Sequence, residues 1–469
     1  MMLDFFKRGA RMLPVCKNTK VIAILDRAKF WYSILYLVYF YLFMLMPFMI
    51  WKGERDIFLY SLIGYIGAAL LAADLILRQN MIRTKGFWLL AAFFVSTGIS
   101  ILLNRELGLA SGIKSAMWFA IEVGLLTSFD PDVEEKTHDR HFRIIGDVIL
   151  LLQTAGVLRA FYSLITWEHL KFPIYIDGKW VYHLLGFVLG RLYGIFVDPN
   201  FACVLSFFVI GFILFRLKTS RKSVGGWIGG IAVILLHFLY IVLSGSRTAL
   251  LALVMTAVCS GLFYGIGDRK SGIREKKRIR AIGIALLGLV IVVAGYLAVT
   301  GYAVNHTGLK KEDLHFLWKL FNDPRLQIWK GYLEIWKNKP LFGVGPRNAL
   351  AFSGANYDEN FFINTKGYDV HNGYLTLFVG AGLIGGVIFL TWLVKKLSRI
   401  WRAGFGAAER DNYSKAVSIL LMTIFAYMCC ACTLTMITFS NQVYDMLFWI
   451  LFGYASYKAE NNSNGKLVQ

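Results

Sequence analysis

Four basic residues sit where apolar stretches of the sequence give way to loops, and their types and spacing are the chain's best candidates for chemistry. Arg191 lies in Gly190-Arg191-Leu192-Tyr193-Gly194, shortly before Asp198-Pro199-Asn200. Arg247 lies in Ser244-Gly245-Ser246-Arg247-Thr248-Ala249, Arg325 follows Asp323-Pro324, and His371 lies in Val370-His371-Asn372-Gly373-Tyr374. A guanidinium is always charged and presents a planar fork of donors to anionic oxygens. An imidazole titrates near neutrality and can take a proton from a hydroxyl.

Each residue also has a plainer reading. Ser246 is a good N-cap, which places Arg247 in the first turn of a helix, where a cation opposes the helix dipole by about 0.3–1 kcal/mol. Anion binding removes that conflict, because free N–H groups and the guanidinium then act together; snorkelling to lipid headgroups is the alternative. Taken singly, Arg325 at a Pro-led helix start and Arg191 read as solvated charges. Asp198-Pro199-Asn200 could be a catalytic acid with an amide, but a capped turn opening a helix explains it more cheaply. A lone His371 could equally be a polar residue at an interface. Of the other histidines, His138 and His141 are placed in a cytoplasmic loop and His237 in a helix, and no pair shows zinc-ligand spacing on one helix face. Asp358, Glu359 and Asp369 have no clear ligand spacing. No metal site and no cofactor is expected.

The elements that must position these residues are membrane helices. The chain is 57% hydrophobic and only 17% charged, with a mean hydropathy of +0.56. A soluble domain is about a quarter charged, so lipid must be the outer solvent. The net charge of +21 lies in short clusters between apolar runs, a topology signal rather than a nucleic-acid surface. The six cysteines form no disulfide framework. A bilayer needs about 20 apolar residues per helix, and that ruler gives an all-α polytopic protein with about twelve spans. They fall near 30–50, 57–77, 86–103, 108–129, 144–166, 198–215, 226–243, 247–266, 281–302, 372–394, 416–438 and 443–457. Lys114 and Glu122 interrupt the fourth, and two turns of separation let both face the bundle interior.

Twelve spans put the basic segments 7–29, 216–222, 269–280 and 395–402 on one side, which the positive-inside rule makes cytoplasmic. The organisation expected is a cytoplasmic tail (1–29), a transmembrane domain (30–457) and a cytoplasmic C-terminal tail (458–469). Two long connections fall outside, 167–197 and 303–370, the second between helices 9 and 10. Within it, residues 313–338 show helical periodicity, read as amphipathic helices on the membrane surface. The turn-rich segment Lys339-Pro340-Leu341-Phe342-Gly343-Val344-Gly345-Pro346 then bends sharply.

In order and sidedness, these landmarks resemble the O-antigen ligase and Wzy-type polysaccharide polymerase family of bacteria. The likeness runs from Arg191 to Gly386 and includes Ser246-Arg247-Thr248-Ala249, Arg325-Leu326-Gln327-Ile328-Trp329, Pro340-Leu341-Phe342-Gly343-Val344-Gly345 and His371-Asn372-Gly373-Tyr374-Leu375. It also includes Gly382, eleven residues after His371. The resemblance implies a GT-C-like, metal-independent glycosyltransferase of the bacterial cytoplasmic (inner) membrane. Such an enzyme has an extracytoplasmic active site and moves a glycan from an undecaprenyl-diphosphate carrier to an acceptor hydroxyl. Arg191, Arg247 and Arg325 would then hold the diphosphate and His371 would deprotonate the acceptor, with Asp198, Asn200 and Asn372 in support. The expected partners are the carrier-linked oligosaccharide, membrane lipids and other polysaccharide assembly proteins, with no nucleic acid. A Wzy-type polymerase is favoured, because nothing in the sequence indicates an outer membrane. An O-antigen ligase acting on a lipid A core is the alternative within the family, and a lipid-linked oligosaccharide flippase the alternative outside it.

Overall fold

The computed structural model describes residues 15–45, 56–176, 179–188, 191–219, 223–267, 324–366, 369–405 and 412–463. The expected ninth span, the basic segment 269–280 and residues 303–323 of the long loop lie outside the described residues.

Helices overlie the other eleven expected segments. They are α1 (Thr19–Leu42), α2 (Asp56–Ala73, extended by a π-turn to Arg78), the short α3 (Asn80–Arg83), α4 (Phe87–Leu103), α5 (Arg105–Ala120, with a π-turn Ile121–Leu125) and α6 (Glu135–Ile165). After a small sheet come α7 (Pro199–Thr219), α8 (Val224–Leu243) and α9 (Arg247–Gly267). The described part of the long loop forms α10 (Pro324–Asn338), α11 (Ala349–Asn356) and α12 (Phe362–Lys366). Helices α13 (Gly373–Phe405), α14 (Asn412–Ala431) and α15 (Val443–Ser463) complete the fold.

Six helices among the described residues are long and apolar enough to cross a membrane. Large apolar side chains face outward along several helices, with Phe58 75%, Leu151 71% and Ile165 77% exposed, while Arg78, Glu122 and Asp445 are fully buried beside the apolar core. Large apolar side chains facing outward over whole helices are stable only against lipid. The buried charges have partners, as a low-dielectric interior requires. Arg78 binds Asp130 and Asp132, Glu122 accepts from the Tyr36 hydroxyl at 2.8 Å, and Lys396 meets Glu460 at 3.0 Å.

Several expectations are corrected. Glu122 is interior, but Lys114 is exposed and lies over the Tyr60 ring at 4.5 Å. The connection 167–197 is a three-stranded antiparallel sheet, β1 (His169–Ile176), β2 (Lys179–Val188) and β3 (Arg191–Gly194). The eleventh span is shorter than 416–438: α14 stops at Ala431, and 432–442 is irregular, with Ile437 and Phe439 at positive φ. The Asp445 carboxylate pins that segment by accepting from the Ile437 N–H (2.6 Å) and the Gln442 N–H (3.1 Å). Helix α10 is amphipathic, but its apolar face meets protein rather than a lipid surface. Ile328, Tyr332 and Ile335, spaced along one face, pack with Val344, Phe352, Ile363, Val370 and Val379 in a separate small core.

The Pro340–Pro346 turn and Gly382 turn out to be one device. Helix α13 is broken at Gly382 (φ 68°), and the turn lies alongside the break. Leu383 N donates to Pro340 O (2.8 Å), Ile384 N to Leu341 O (3.1 Å), Val344 N to Val379 O (2.9 Å) and Gly345 N to Gly380 O (3.1 Å). Asn104, at the C-terminal end of α4, and Ser100 within it donate to Gly343 O and Gly380 O, both at 3.0 Å. A broken helix in a membrane protein must have its freed backbone groups satisfied by neighbouring protein, and this arrangement does so.

Candidate active site

The starts of α7, α9 and α13 and the ends of α8 and α14 meet at one end of the bundle, and the candidate residues lie on these termini or, for Arg191 in β3 and Arg325 in α10, beside them. Pro199 opens α7, and Asp198 Oδ1 accepts from Asn200 N at 2.7 Å, so Asp198-Pro199-Asn200 is the capped turn. Asn200 turns its own Oδ1 outward to accept from Arg191 Nη2 (3.1 Å) and Ser246 Oγ (2.8 Å). Arg191 also donates through Nε to Ser244 O, the last turn of α8, at 2.8 Å. Its guanidinium thus ties β3 to α7 and α8. Gly245 (φ 60°) lets the chain pass the guanidinium stem: a Cβ there would sit 3.2 Å from Arg191 Cγ.

Ser246 Oγ accepts from Ala249 N at 3.3 Å, the N-cap bond expected for α9. Arg247 therefore occupies the first turn of α9, half-buried. Its neighbour Thr248 shares a 2.6 Å hydroxyl contact with Thr433 and accepts a long hydrogen bond from Arg325 Nη1 at 3.4 Å. Arg325, in the first turn of α10, is thereby directed to the mouth of α9 rather than to open solvent.

His371 takes a left-handed conformation (φ 49°), and its backbone N–H donates to Thr435 Oγ1 at 2.9 Å. Asn372 is the cap of α13, with Oδ1 accepting from Tyr374 N (3.0 Å) and Leu375 N (2.9 Å). Thr433 and Thr435 belong to the same irregular segment after α14. Three polar groups thus lie close together: Arg191, Asn200 and Ser246; Arg325, Thr248 and Thr433; and Thr435 with the His371 backbone.

Beside His371 lies a cavity of about 340 Å³, lined among others by Tyr332, Arg347, Asp369, Thr376 and Thr435. Thr435 belongs both to this wall and to the His371 anchor. Arg347 is exposed at positive φ and donates from Nε to Phe439 O at 3.4 Å. Burial pushes the Tyr332 hydroxyl well above its usual range, with the Asp369 charge adding to the effect, so Tyr332 faces the cavity as a neutral donor. A cation, a carboxylate and several hydroxyls around a half-open cavity suit a polar, hydroxyl-rich ligand.

Sequence reasoning missed Arg347, Thr433 and Thr435. Arg347 follows Gly345-Pro346, a turn signal that could have drawn notice. The threonines lie in a run apolar enough to pass for the end of a membrane helix.

No curated protein matches the chain. The sequence model of one family, Wzy_C, described as O-antigen ligase, matches residues 231–390, a window that holds Ser246, Arg247, Arg325, His371 and Gly382, while Arg191 and Asn200 precede it. That match covers about a third of the chain; it makes this part of the protein similar to the O-antigen ligase family and supports a function in glycan transfer during polysaccharide assembly.

Proposed function

We propose that this protein transfers a glycan from an undecaprenyl-diphosphate carrier to an acceptor hydroxyl at the outer face of the cytoplasmic membrane, as a Wzy-type polymerase. The observation that carries the reading is that Arg191, Arg247, Arg325 and His371 lie at one end of the bundle. Arg191 is bonded to the starts of α7 and α9 through Asn200, Arg247 and Arg325 are in the first turns of α9 and α10, and His371 is at the head of α13. The acceptor oxygen attacks the anomeric carbon and the bond from that carbon to the diphosphate oxygen breaks. The acceptor proton passes to His371, and the lipid diphosphate leaves against Arg247 and Arg325. Arg191 holds the termini in register. A single displacement of this kind inverts the anomeric carbon. The guanidinium groups act in a partly desolvated site, where fixed charges stabilise a developing anion most effectively.

The sidedness rests on charge. Arg216 and Lys218 end α7, and Lys395, Lys396, Arg399 and Arg402 lie at the far end of α13, opposite the site. The positive-inside rule makes that far end cytoplasmic, which puts both chain termini inside. Leu350→Cys, on the exposed loop surface, should react with a membrane-impermeant maleimide added from outside intact cells. Labelling only after lysis would reverse the orientation.

Arg247→Ala and Arg325→Ala should each weaken binding of the carrier diphosphate by about 1.5–3 kcal/mol, the range for hydrogen bonds to charged groups. Unchanged carrier affinity in both variants would remove the cationic clamp. The reaction itself is tested in proteoliposomes loaded with a carrier-linked repeat unit. A ladder of lengthening products is expected from the wild type. The ligase reading is favoured by the description of the matched family; it predicts no ladder, and one transfer per terminal acceptor supplied.

A further inference from the structure

His138 and His141, expected in a loop, lie in the first two turns of α6, three residues apart and so on one face of the helix. Both turn toward Asp26 of α1. His138 Nδ1 is 3.9 Å from Asp26 Oδ1, and His141 Nδ1 is 3.5 Å from Asp26 Oδ2. One donor atom from each residue lies within 4.8 Å of the other two. Tetrahedral zinc with nitrogen and oxygen ligands at about 2.0–2.2 Å needs donors roughly 3.4 Å apart, a set that small side-chain rotations would close.

A second observation concerns the orientation of His138. It is 3% exposed, and its Nε2 lies 2.9 Å from the carbonyl oxygen of Asp130. A carbonyl only accepts, so Nε2 carries the proton and the neutral ring presents its lone pair at Nδ1, on the side of Asp26 and His141. Metal-binding histidines are oriented by just such an outer hydrogen bond. The His141 ring is held stacked on Phe30, with centroids 4.3 Å apart. The three residues border an interior cavity of about 60 Å³ that also meets Ser33, Asp74 and Asn80, enough for an ion and a water. The neighbouring Lys29 ammonium is engaged with Ser128.

We propose that Asp26, His138 and His141 form a site for a divalent transition-metal ion of the zinc class, with water completing the tetrahedron. The ion ties α1 to the start of α6 at the end of the bundle away from His371, so the site is structural and separate from glycan transfer. Ligation requires neutral imidazoles and a carboxylate, so binding weakens in acid.

The test uses the full chain purified without a histidine tag, stripped with chelator and titrated with Co²⁺. The wild type should take up one Co²⁺ with the visible bands of four-coordinate cobalt, Zn²⁺ should displace it, and Zn²⁺ should raise the melting temperature. Asp26→Asn and the partly exposed His141→Gln should each weaken binding at least about tenfold, whereas His169→Gln, in the sheet at the other end, should not. Absence of the bands in the wild type would overturn the proposal. So would equal cobalt affinity in wild type, Asp26→Asn and His141→Gln, or a loss in His169→Gln as large as theirs.

Discussion

His371→Ala should lower the rate of glycan transfer by about 10²–10⁴-fold, the usual contribution of a positioned general base, while leaving insertion and folding intact. The separation of the two effects follows from the local geometry. Helix α13 is capped by Asn372 through its own side chain. His371 is anchored by its backbone N–H to Thr435 Oγ1, a bond alanine keeps. Its left-handed φ of 49° is better tolerated by histidine than by alanine, so the exchange adds a modest strain that the melting curve would report. What is lost is the proton acceptor beside the cavity. A base must be neutral to accept, so the acid limb of the wild-type kcat/KM profile should be absent from the variant's residual activity. Single-turnover assays on carrier-linked substrate, with melting curves of both proteins in detergent, read the two effects separately. Wild-type product levels in the variant would remove His371 from the mechanism.

The sequence carried the parts whose signals are local. Ser246 and Asp198-Pro199 announced helix starts because capping needs only a few neighbouring residues, and both caps stand where expected. The order of the apolar runs placed the helices, since hydrophobic length is a property of the run itself. Features set by tertiary contact were hidden. Nothing local to 416–438 says that α14 stops at Ala431, because the break is held by the carboxylate of Asp445 and by the bond from Thr438 Oγ1 to Gly373 O (2.6 Å). In sequence the segment 169–194 shows only as a long connection between apolar runs, and its pairing into a sheet appears in the structure. Spacing alone lets Lys114 face inward with Glu122, because it gives relative angle on a helix and not which side the bundle occupies. His138 and His141 carry no ligand motif of their own, because the third member of their group, Asp26, comes from another helix more than a hundred residues earlier. Arg325 looked like a solvated charge for the same reason: its partner Thr248 belongs to a different helix.

Gly382→Ala should prevent accumulation of a stable protein. A Cβ at Gly382 would lie 2.2 Å from Leu341 O, 2.4 Å from Leu341 C and 2.5 Å from Phe342 C. These are backbone atoms, so no side-chain rotation relieves the overlap. The backbone itself (φ 68°, ψ −174°) belongs to a region used almost only by glycine, at a cost of about 1–3 kcal/mol for other residues. Moving the turn aside would break the four backbone bonds that pair Pro340–Gly345 with Val379–Ile384. Each buried group left unsatisfied costs about 1–3 kcal/mol. The sum is comparable to the whole stability of a typical domain, about 5–15 kcal/mol. Gly343 faces the same break from the other side, where its Cβ would meet Val379 O at 2.5 Å. This mutual interlock explains why the Pro340–Pro346 turn and Gly382 occur together: neither conformation is tenable without the other. Gly354→Ala is the control, since a Cβ there meets nothing within 4 Å and alanine favours the helix. Fluorescence-detected size exclusion of membrane extracts, followed by thermal challenge, should show little monodisperse protein for Gly382→Ala and a wild-type profile for Gly354→Ala. A Gly382→Ala protein that melts with the wild type would show that the turn and the break in α13 are not packed as described, and the position of His371 at the head of that helix would lose its structural basis.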